Sequence, residues 1–444
     1  MTDNVWVCKQ NMELEEKIIK QFCAAGRWEK VIWCDNELIR PKRQTSVEGI
    51  NEFKLHKNNN IPKEINDKIS KKTSQYILFA SRNSKLGGFE YDNRTNDDYI
   101  NIFNLLSAYT YDKLCKNDIS LVIFNRAPHY EGDYILYLLA KELNIKTLIM
   151  QQSLIPNKFF YFFDTQDFGL FNTSNTKFED AKDFVVDNNF EKDLFYMKSV
   201  LKPDKKQKLF RDEYHLLKDL ILNKLGLHSL FIYNKKKSFK KNKSAHTAEN
   251  PDMNKNFIYF PLHLQPELTT SLYGGLYYDQ LLAVEQLKQI IPSDWAIYLK
   301  ENPKQNYFMR GPWFFERLSK MEGVYYLDNT IDTYLLMNKC KAVATITGTA
   351  GWEAVTGGKP VIIFGWGTWY KSLPGVFEMS KDFNLKEVIE YKIDHDELVS
   401  SVFDLTRKMG DGIIYNSYSK LYPKYNEKNN EEVVITSLTK ILYP

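Results

Sequence analysis

Four short segments place polar and titratable side chains directly behind apolar runs. In Ile346-Thr347-Gly348-Thr349-Ala350-Gly351-Trp352-Glu353 a turn of small residues leads into a helix-like piece, which Gly357-Gly358 stops before Pro360-Val361-Ile362-Ile363-Phe364. Phe260-Pro261-Leu262-His263-Leu264-Gln265-Pro266-Glu267 follows a second run, and Thr269-Thr270-Ser271 and Gly274-Gly275 lead on to Asp279 and Gln280. Tyr298-Leu299-Lys300-Glu301-Asn302-Pro303 ends a third run with a cation, a carboxylate and an amide before a proline breaks it. Asn125-Arg126-Ala127-Pro128-His129-Tyr130-Glu131-Gly132-Asp133-Tyr134 crowds titratable groups behind a fourth.

The turn from Thr347 to Gly351 suits an anion. Glycines remove side chains that would block approach, threonine hydroxyls donate, and the amides at a helix start carry partial positive charge. A phosphate-bearing ligand is the natural guest, although the glycines alone fit a tight turn with no ligand equally well. Neither the dinucleotide fingerprint G-x-G-x-x-G nor the P-loop G-x-x-x-x-G-K-[ST] is present.

The elements that would position these segments alternate. Val5 to Cys8 and Lys30 to Cys34 read as strands around a helix at Glu13 to Ala25, with Gly26 as its stop. Tyr76 to Ser81 is a further apolar run. Ile119 to Phe124, Asp133 to Leu143 and Lys146 to Met150 form one strand-helix-strand unit, which implies a parallel sheet. From Phe257 the alternation resumes, with strands at 257–260, 295–299, 324–327, 342–346 and 361–364 and helices at 278–290, 310–321, 330–338 and 351–356.

The expected fold class is therefore α/β, with two Rossmann-type doubly wound domains facing a central cleft that holds the ligand. The expected domains are 1–170, a helical insertion and linker over 171–256, a second Rossmann-like domain over 257–425, and a C-terminal helix over 426–444. The insertion ends in a lysine run from Lys235 to Lys243, which reads as a solvated loop or as a contact for anionic lipid head groups.

Composition narrows the class. The 444 residues carry 60 Lys and Arg against 56 Asp and Glu, and the small excess is spread along the chain, so nothing points to nucleic acid. The 5 cysteines are scattered without a C-x-x-C pair or a nearby histidine cluster, as in a reduced, cytosolic chain. No apolar run approaches the ~20 residues a membrane helix needs.

Pro-Leu-His-x-Gln-Pro-Glu, then Gly-Gly-x-Tyr-x-Asp-Gln, Leu-Lys-Glu-x-Pro and Thr-Gly-Thr-Ala-Gly-Trp-Glu-Ala with Gly-Lys-Pro-Val, in this order, resembles the bacterial capsule polysaccharide biosynthesis proteins. That family includes Kdo transferases of the GT-B fold, and the resemblance is clearest from Phe257 to Tyr370, weaker over Ile119 to Phe160. It implies a nucleotide-sugar donor, CMP-linked and carrying Kdo or a related acidic sugar, in the C-terminal domain, and a glycan or glycolipid acceptor at the N-terminal domain. By motif match, His263, Gln265, Lys300 and Asn302 line the donor site, with His263 and Lys300 at the phosphate. Thr347, Gly348 and Thr349 supply hydroxyls and amides, and Glu353 lies near the ribose.

Plainer roles fit some of these residues: His263 as a satisfied buried histidine, Lys300 as the partner of Glu301, Glu353 as a helix cap. Family members usually carry Lys-Glu-His-Pro where this chain has Asn302, and asparagine cannot carry a proton or charge at neutral pH. The departure bears on donor identity and activity.

Glycosyl transfer also needs a base for the acceptor hydroxyl or a carboxylate nucleophile. Glu131 or Asp133 fits, with His129 tuning it, while Asp133 equally suits capping of its helix. Gln151 and Gln152, at the end of the next strand, are expected to bind acceptor hydroxyls. Neither a metal nor a cofactor is expected, because protein groups can neutralise the leaving phosphate and no suitably placed Asp-x-Asp motif occurs. The reading is a cytoplasmic glycosyltransferase that extends a surface polysaccharide or its lipid-linked precursor, in peripheral contact with the inner membrane. The alternatives are a CDP-linked glycerol-phosphate-type transferase and a non-catalytic glycan-binding assembly subunit.

Overall fold

The computed structural model describes residues 2–8, 12–34, 61–87, 95–171, 176–181, 184–187, 227–305, 307 and 309–444. Two compact units emerge, one of Met1–Val186 with Val399–Pro444, the other of Asp187–Leu398.

The first unit is built on β1 (Asp3–Cys8), β2 (Trp28–Cys34), β3 (Leu121–Phe124), β4 (Lys146–Gln152) and β5 (Lys158–Phe162). β2, β1, β3 and β4 run parallel in that spatial order, and β5 follows antiparallel to β4. Leu121 to Phe124 are all buried, as a central parallel strand covered on both faces requires. The apolar run at Tyr76–Ser81 lies inside a helix, Thr73–Gly87, beside the long helix Asn96–Lys116. The latter begins with a capping box: the Thr95 hydroxyl accepts from the Asp98 amide, and the Asp98 carboxylate accepts from the Thr95 amide.

The second unit holds β6 (Thr247–Ala248), β7 (Phe257–Pro261), β8 (Ala296–Lys300), β9 (Val324–Leu327), β10 (Ala342–Thr345), β11 (Val361–Ile363) and β12 (Val376–Glu378). Their order is β12-β11-β10-β7-β8-β9-β6, all parallel. The chain winds one way from β7 through β8 to β9 and the other way from β10 through β11 to β12. The switch therefore falls between β7 and β10, where open α/β sheets bind their ligands. The α/β class with two Rossmann-type sheets, the units from which the GT-B fold is made, is thus present.

Two boundaries differ from the sequence reading, for reasons of packing. Residues 188–226, the larger part of the expected insertion, lie outside the described residues. The lysine run is not a loop but part of the helix Leu227–His246, whose Phe239 packs on Phe315 with ring centroids 6.2 Å apart. Lysine is a good helix former, and this tertiary contact supplies what propensity alone does not.

At the other end, the chain returns to the first unit. β13 (Gly410–Asp411) pairs antiparallel with β5, and Lys158, buried in β5, meets the Asp411 carboxylate at 2.5 Å. The final helix Glu427–Leu442 packs beside the helix Met12–Ala24. No helix among the described residues is long and apolar enough to cross a membrane.

Candidate functional site

The three polar segments of the second unit leave the carboxyl ends of β10, β7 and β8, which are adjacent in the sheet. Parallel pairing brings sequence positions 263, 300 and 347 to one edge because the three strands share a direction and register.

His263 is buried, with its ring Nε2 hydrogen-bonded at 2.9 Å to the Thr345 hydroxyl, the last residue of β10. Its backbone is clamped by Gln280, whose Oε1 accepts from the His263 amide at 2.7 Å and whose Nε2 donates to the His263 carbonyl at 3.0 Å. Burial, with the nearby Arg310 cation, pushes the imidazole down to about 4. His263 is thus neutral at physiological pH and brings no positive charge.

Arg310 organises the loops. Its side chain is fully buried, and its guanidinium bonds the Glu301 carboxylate at 2.7 and 3.3 Å, the Gln265 side-chain oxygen, and the His263 carbonyl at 3.2 Å. A single planar fork thereby ties the loop after β8 to the loop after β7. Glu301 also accepts from the Tyr326 hydroxyl at 3.2 Å.

Gln265 is locked on every side: its amide nitrogen donates to the Tyr278 carbonyl, and its backbone exchanges hydrogen bonds of 2.7 and 3.1 Å with the Gln305 side chain. Asn302 uses its side-chain oxygen to accept from the Lys304 amide at 3.0 Å, a local turn.

Glu301 being committed to Arg310, Lys300 does not pair with it. The Lys300 ammonium instead donates to the Ile331 carbonyl at 2.5 Å and the Thr333 hydroxyl at 2.7 Å, both neutral. Burial holds its pKa below the usual lysine range, opposed by the carboxylates of Asp332 and Asp328. Among the described residues no carboxylate lies within ion-pair distance of it.

In the glycine turn, the Thr347 hydroxyl donates to the Thr269 carbonyl at 2.7 Å, and the Gly348 amide donates to the Thr345 hydroxyl at 3.2 Å. These two donors are spent inside the protein. Thr349 opens the helix Thr349–Thr356; it is half-buried, and its hydroxyl has no protein partner among the described residues. The Gly351 amide donates to the Gly348 carbonyl at 3.0 Å, while the first two helical amides, of Thr349 and Ala350, have no carbonyl one turn back.

The glycines themselves answer to the protein. A Cβ on Gly348 would sit 2.9 Å from the His263 ring, and one on Gly351 would collide with the Tyr370 hydroxyl, which donates to the Gly348 carbonyl. Glu353 is buried one turn into the helix, beyond any capping position, and its charge pushes the buried hydroxyls of Tyr259 and Tyr370 up, after burial itself.

In the first unit, the fourth segment leaves β3 at the switch between β1 and β3. Asn125 donates to the Cys8 carbonyl at 2.7 Å and to the Glu15 carboxylate. His129 is buried, with Nδ1 2.6 Å from the Ala127 carbonyl and its ring against Tyr130. Tyr130, not Asp133, is the N-cap of the helix Glu131–Glu142, of which Glu131 is the first residue. Asp133 is buried in the first turn, 3.9 Å from the Arg126 guanidinium.

Gln151 is half-buried near the end of β4. Gln152 is buried and spent: its oxygen accepts from the amides of Ile414 and Tyr415 at 2.8 and 3.2 Å, and its nitrogen donates to the Lys158 carbonyl at 3.0 Å. It anchors the returning segment. The structure thus brings His263, Gln265, Lys300, Asn302, Thr347, Gly348, Thr349 and Glu353 to one unit and His129, Glu131, Asp133, Gln151 and Gln152 to the other.

Sequence reasoning passed over Arg310, Thr345 and the clamp made by Gln280. Asp-Gln after Gly-Gly-x-Tyr was the one visible signal, for Gln280 alone.

Residues 204–401 match the family described as capsule polysaccharide biosynthesis protein. The solved β-Kdo 2,7 transferase of Thermosulfurimonas dismutans KpsC is 10% identical, with 90% of each chain covered and a TM-score of 0.36. The β-Kdo 2,4 transferase of the same KpsC is 12% identical over 68% of this chain and 87% of that one, with a TM-score of 0.31. The UDP-GlcNAc 2-epimerase of Methanocaldococcus jannaschii is 12% identical over 100% of both chains, with a TM-score of 0.25. No curated protein matches the chain. The residues that match this family model span the loops after β7, β8 and β10.

Proposed function

We propose that the chain is a glycosyltransferase of capsule assembly, moving Kdo or a related acidic sugar from a CMP-linked donor to a surface polysaccharide or its lipid-linked precursor. The observation that carries this reading is what remains after the loop hydrogen bonds are assigned. Among the described residues, Lys300 directs its hydrogen bonds to neutral acceptors, with the carboxylates of Asp332 and Asp328 acting from farther off, and the Thr349 hydroxyl at a helix start has no protein partner. Both suit the phosphate of a nucleotide donor, at the strand ends where open α/β sheets bind ligands. The match of residues 204–401 to the capsule polysaccharide biosynthesis family supports the role in capsule assembly.

In this reading Lys300, Thr349 and the first amides of its helix neutralise the leaving phosphate without a metal. Glu353 accepts from ribose hydroxyls. His263, neutral, orders the turn through Thr345. Glu131 or Asp133 takes the proton of the acceptor hydroxyl as its oxygen bonds the anomeric carbon and the nucleotide departs with the electron pair of the broken bond. His129 sets the carboxylate, and Gln151 binds acceptor hydroxyls.

The test is transfer from CMP-Kdo to a lipid-linked glycan precursor, followed by mass spectrometry with and without a chelator. One added sugar, formed equally with chelator, supports the reading. Donor left intact, or transfer from a CDP-linked glycerol donor instead, sinks it.

A further inference from the structure

Away from these loops, the second unit bears a surface of unlike composition. The helix Leu227–His246 contains six lysines and no carboxylate. Phe239 and His246, spaced to share one side, turn inward, with ring centroids 6.2 and 5.4 Å from that of Phe315. Lys236, Lys237, Lys240 and Lys241 are exposed, and among the described residues none has an ion-pair partner.

Phe315 belongs to the neighbouring helix Pro312–Ser319. Two residues earlier, on the side turned away from the core, Trp313 is 76% exposed. Next to it on this helix, Glu316 and Lys320 neutralise each other at 2.9 Å. Two helices that share a core contact therefore present four unpaired ammonium groups and a bare indole to the outside.

The pairing of these two features is informative. Lysines alone suit any polyanion, and an inorganic one such as polyphosphate gains nothing from an exposed indole. An anionic bilayer uses both: lipid phosphates attract the ammonium groups, and the indole settles where head groups meet hydrocarbon. We propose that Lys236, Lys237, Lys240, Lys241 and Trp313 form a docking surface for an anionic membrane leaflet. The surface neither uses nor requires the donor-site residues.

Sedimentation of the full chain with phosphatidylcholine vesicles, with and without phosphatidylglycerol, tests this. Binding to the anionic vesicles only, weakened by salt, is expected. Each lysine changed to glutamine should lower the partition coefficient about fivefold, ~1 kcal/mol. Trp313→Ser should weaken vesicle binding and leave binding to soluble polyphosphate unchanged. All five side chains are exposed, so the variants should melt like the parent chain, which circular dichroism checks.

Three results would overturn the proposal: no binding of the parent chain to anionic vesicles, equal binding to neutral ones, or full binding after all four lysines are replaced. Unchanged vesicle binding by Trp313→Ser, with polyphosphate bound as tightly, would reassign the surface to a soluble polyanion.

Discussion

Each unit carries polar loops at the strand ends near the switch point of its sheet, and in each an arginine lies near a carboxylate, but the two pairs differ in kind. In the second unit Arg310 and Glu301 are fully buried, in contact at 2.7 Å, and the same guanidinium reaches two further groups on the loop after β7. In the first, Arg126 is partly exposed, stands 3.9 Å from Asp133, and lies over the Tyr130 ring at 4.0 Å. A buried, multiply bonded cation fixes a loop in one geometry. A loose one leaves room for change. The loops proposed to hold the donor are therefore tied by a buried cation, whereas the cation beside Asp133 is partly exposed.

Breaking the two pairs separates them most clearly. Arg310→Met strands the Glu301 charge in the interior and should cost about 3–5 kcal/mol of stability. Arg126→Met should cost about 1 kcal/mol or less. Urea titration of both variants measures the difference, and equal losses would abolish the contrast.

Acid probes the same rigid loop. His263 is held near 4 against its ordinary 6.5, so between those values the unfolded chain binds more protons than the folded one. Stability should rise with pH across this window, be complete above it, and fall by about 3 kcal/mol toward its lower end. His263→Gln should flatten that part of the pH dependence of unfolding. A smaller effect is expected at the turn, where Gly351→Ala collides with the Tyr370 hydroxyl and should cost about 1–3 kcal/mol in thermal unfolding, partly recovered in combination with Tyr370→Phe.

The same contrast explains what could be read in advance. The strands and their terminal loops were legible because apolar runs, glycines and prolines mark them locally. The shared sheet edge followed from the winding rule. Arg310 was illegible because its partners lie at Glu301 and Gln265, joined only through the fold, and arginine ordinarily belongs at the surface. For Gln152 the hidden partner was farther still, at Ile414 and Tyr415 on a segment that returns from the second unit. The lysine run showed no apolar stripe strong enough to announce a helix, since Phe239 and His246 supply its inward side. Glycines that suggested a ligand also accommodate His263 and Tyr370, so the proposed anion site reduces to fewer groups than the motif suggested.

Those remaining groups are what calorimetry addresses most directly. Titration of CMP into the parent chain, Lys300→Met and Thr349→Val should show binding to the parent, a loss of roughly 10- to 100-fold for Lys300→Met, and a severalfold loss for Thr349→Val, as expected for removal of a charged and a neutral hydrogen bond. Affinity unchanged in both variants, or a parent chain that binds no nucleotide, would contradict a donor site at the ends of β7, β8 and β10.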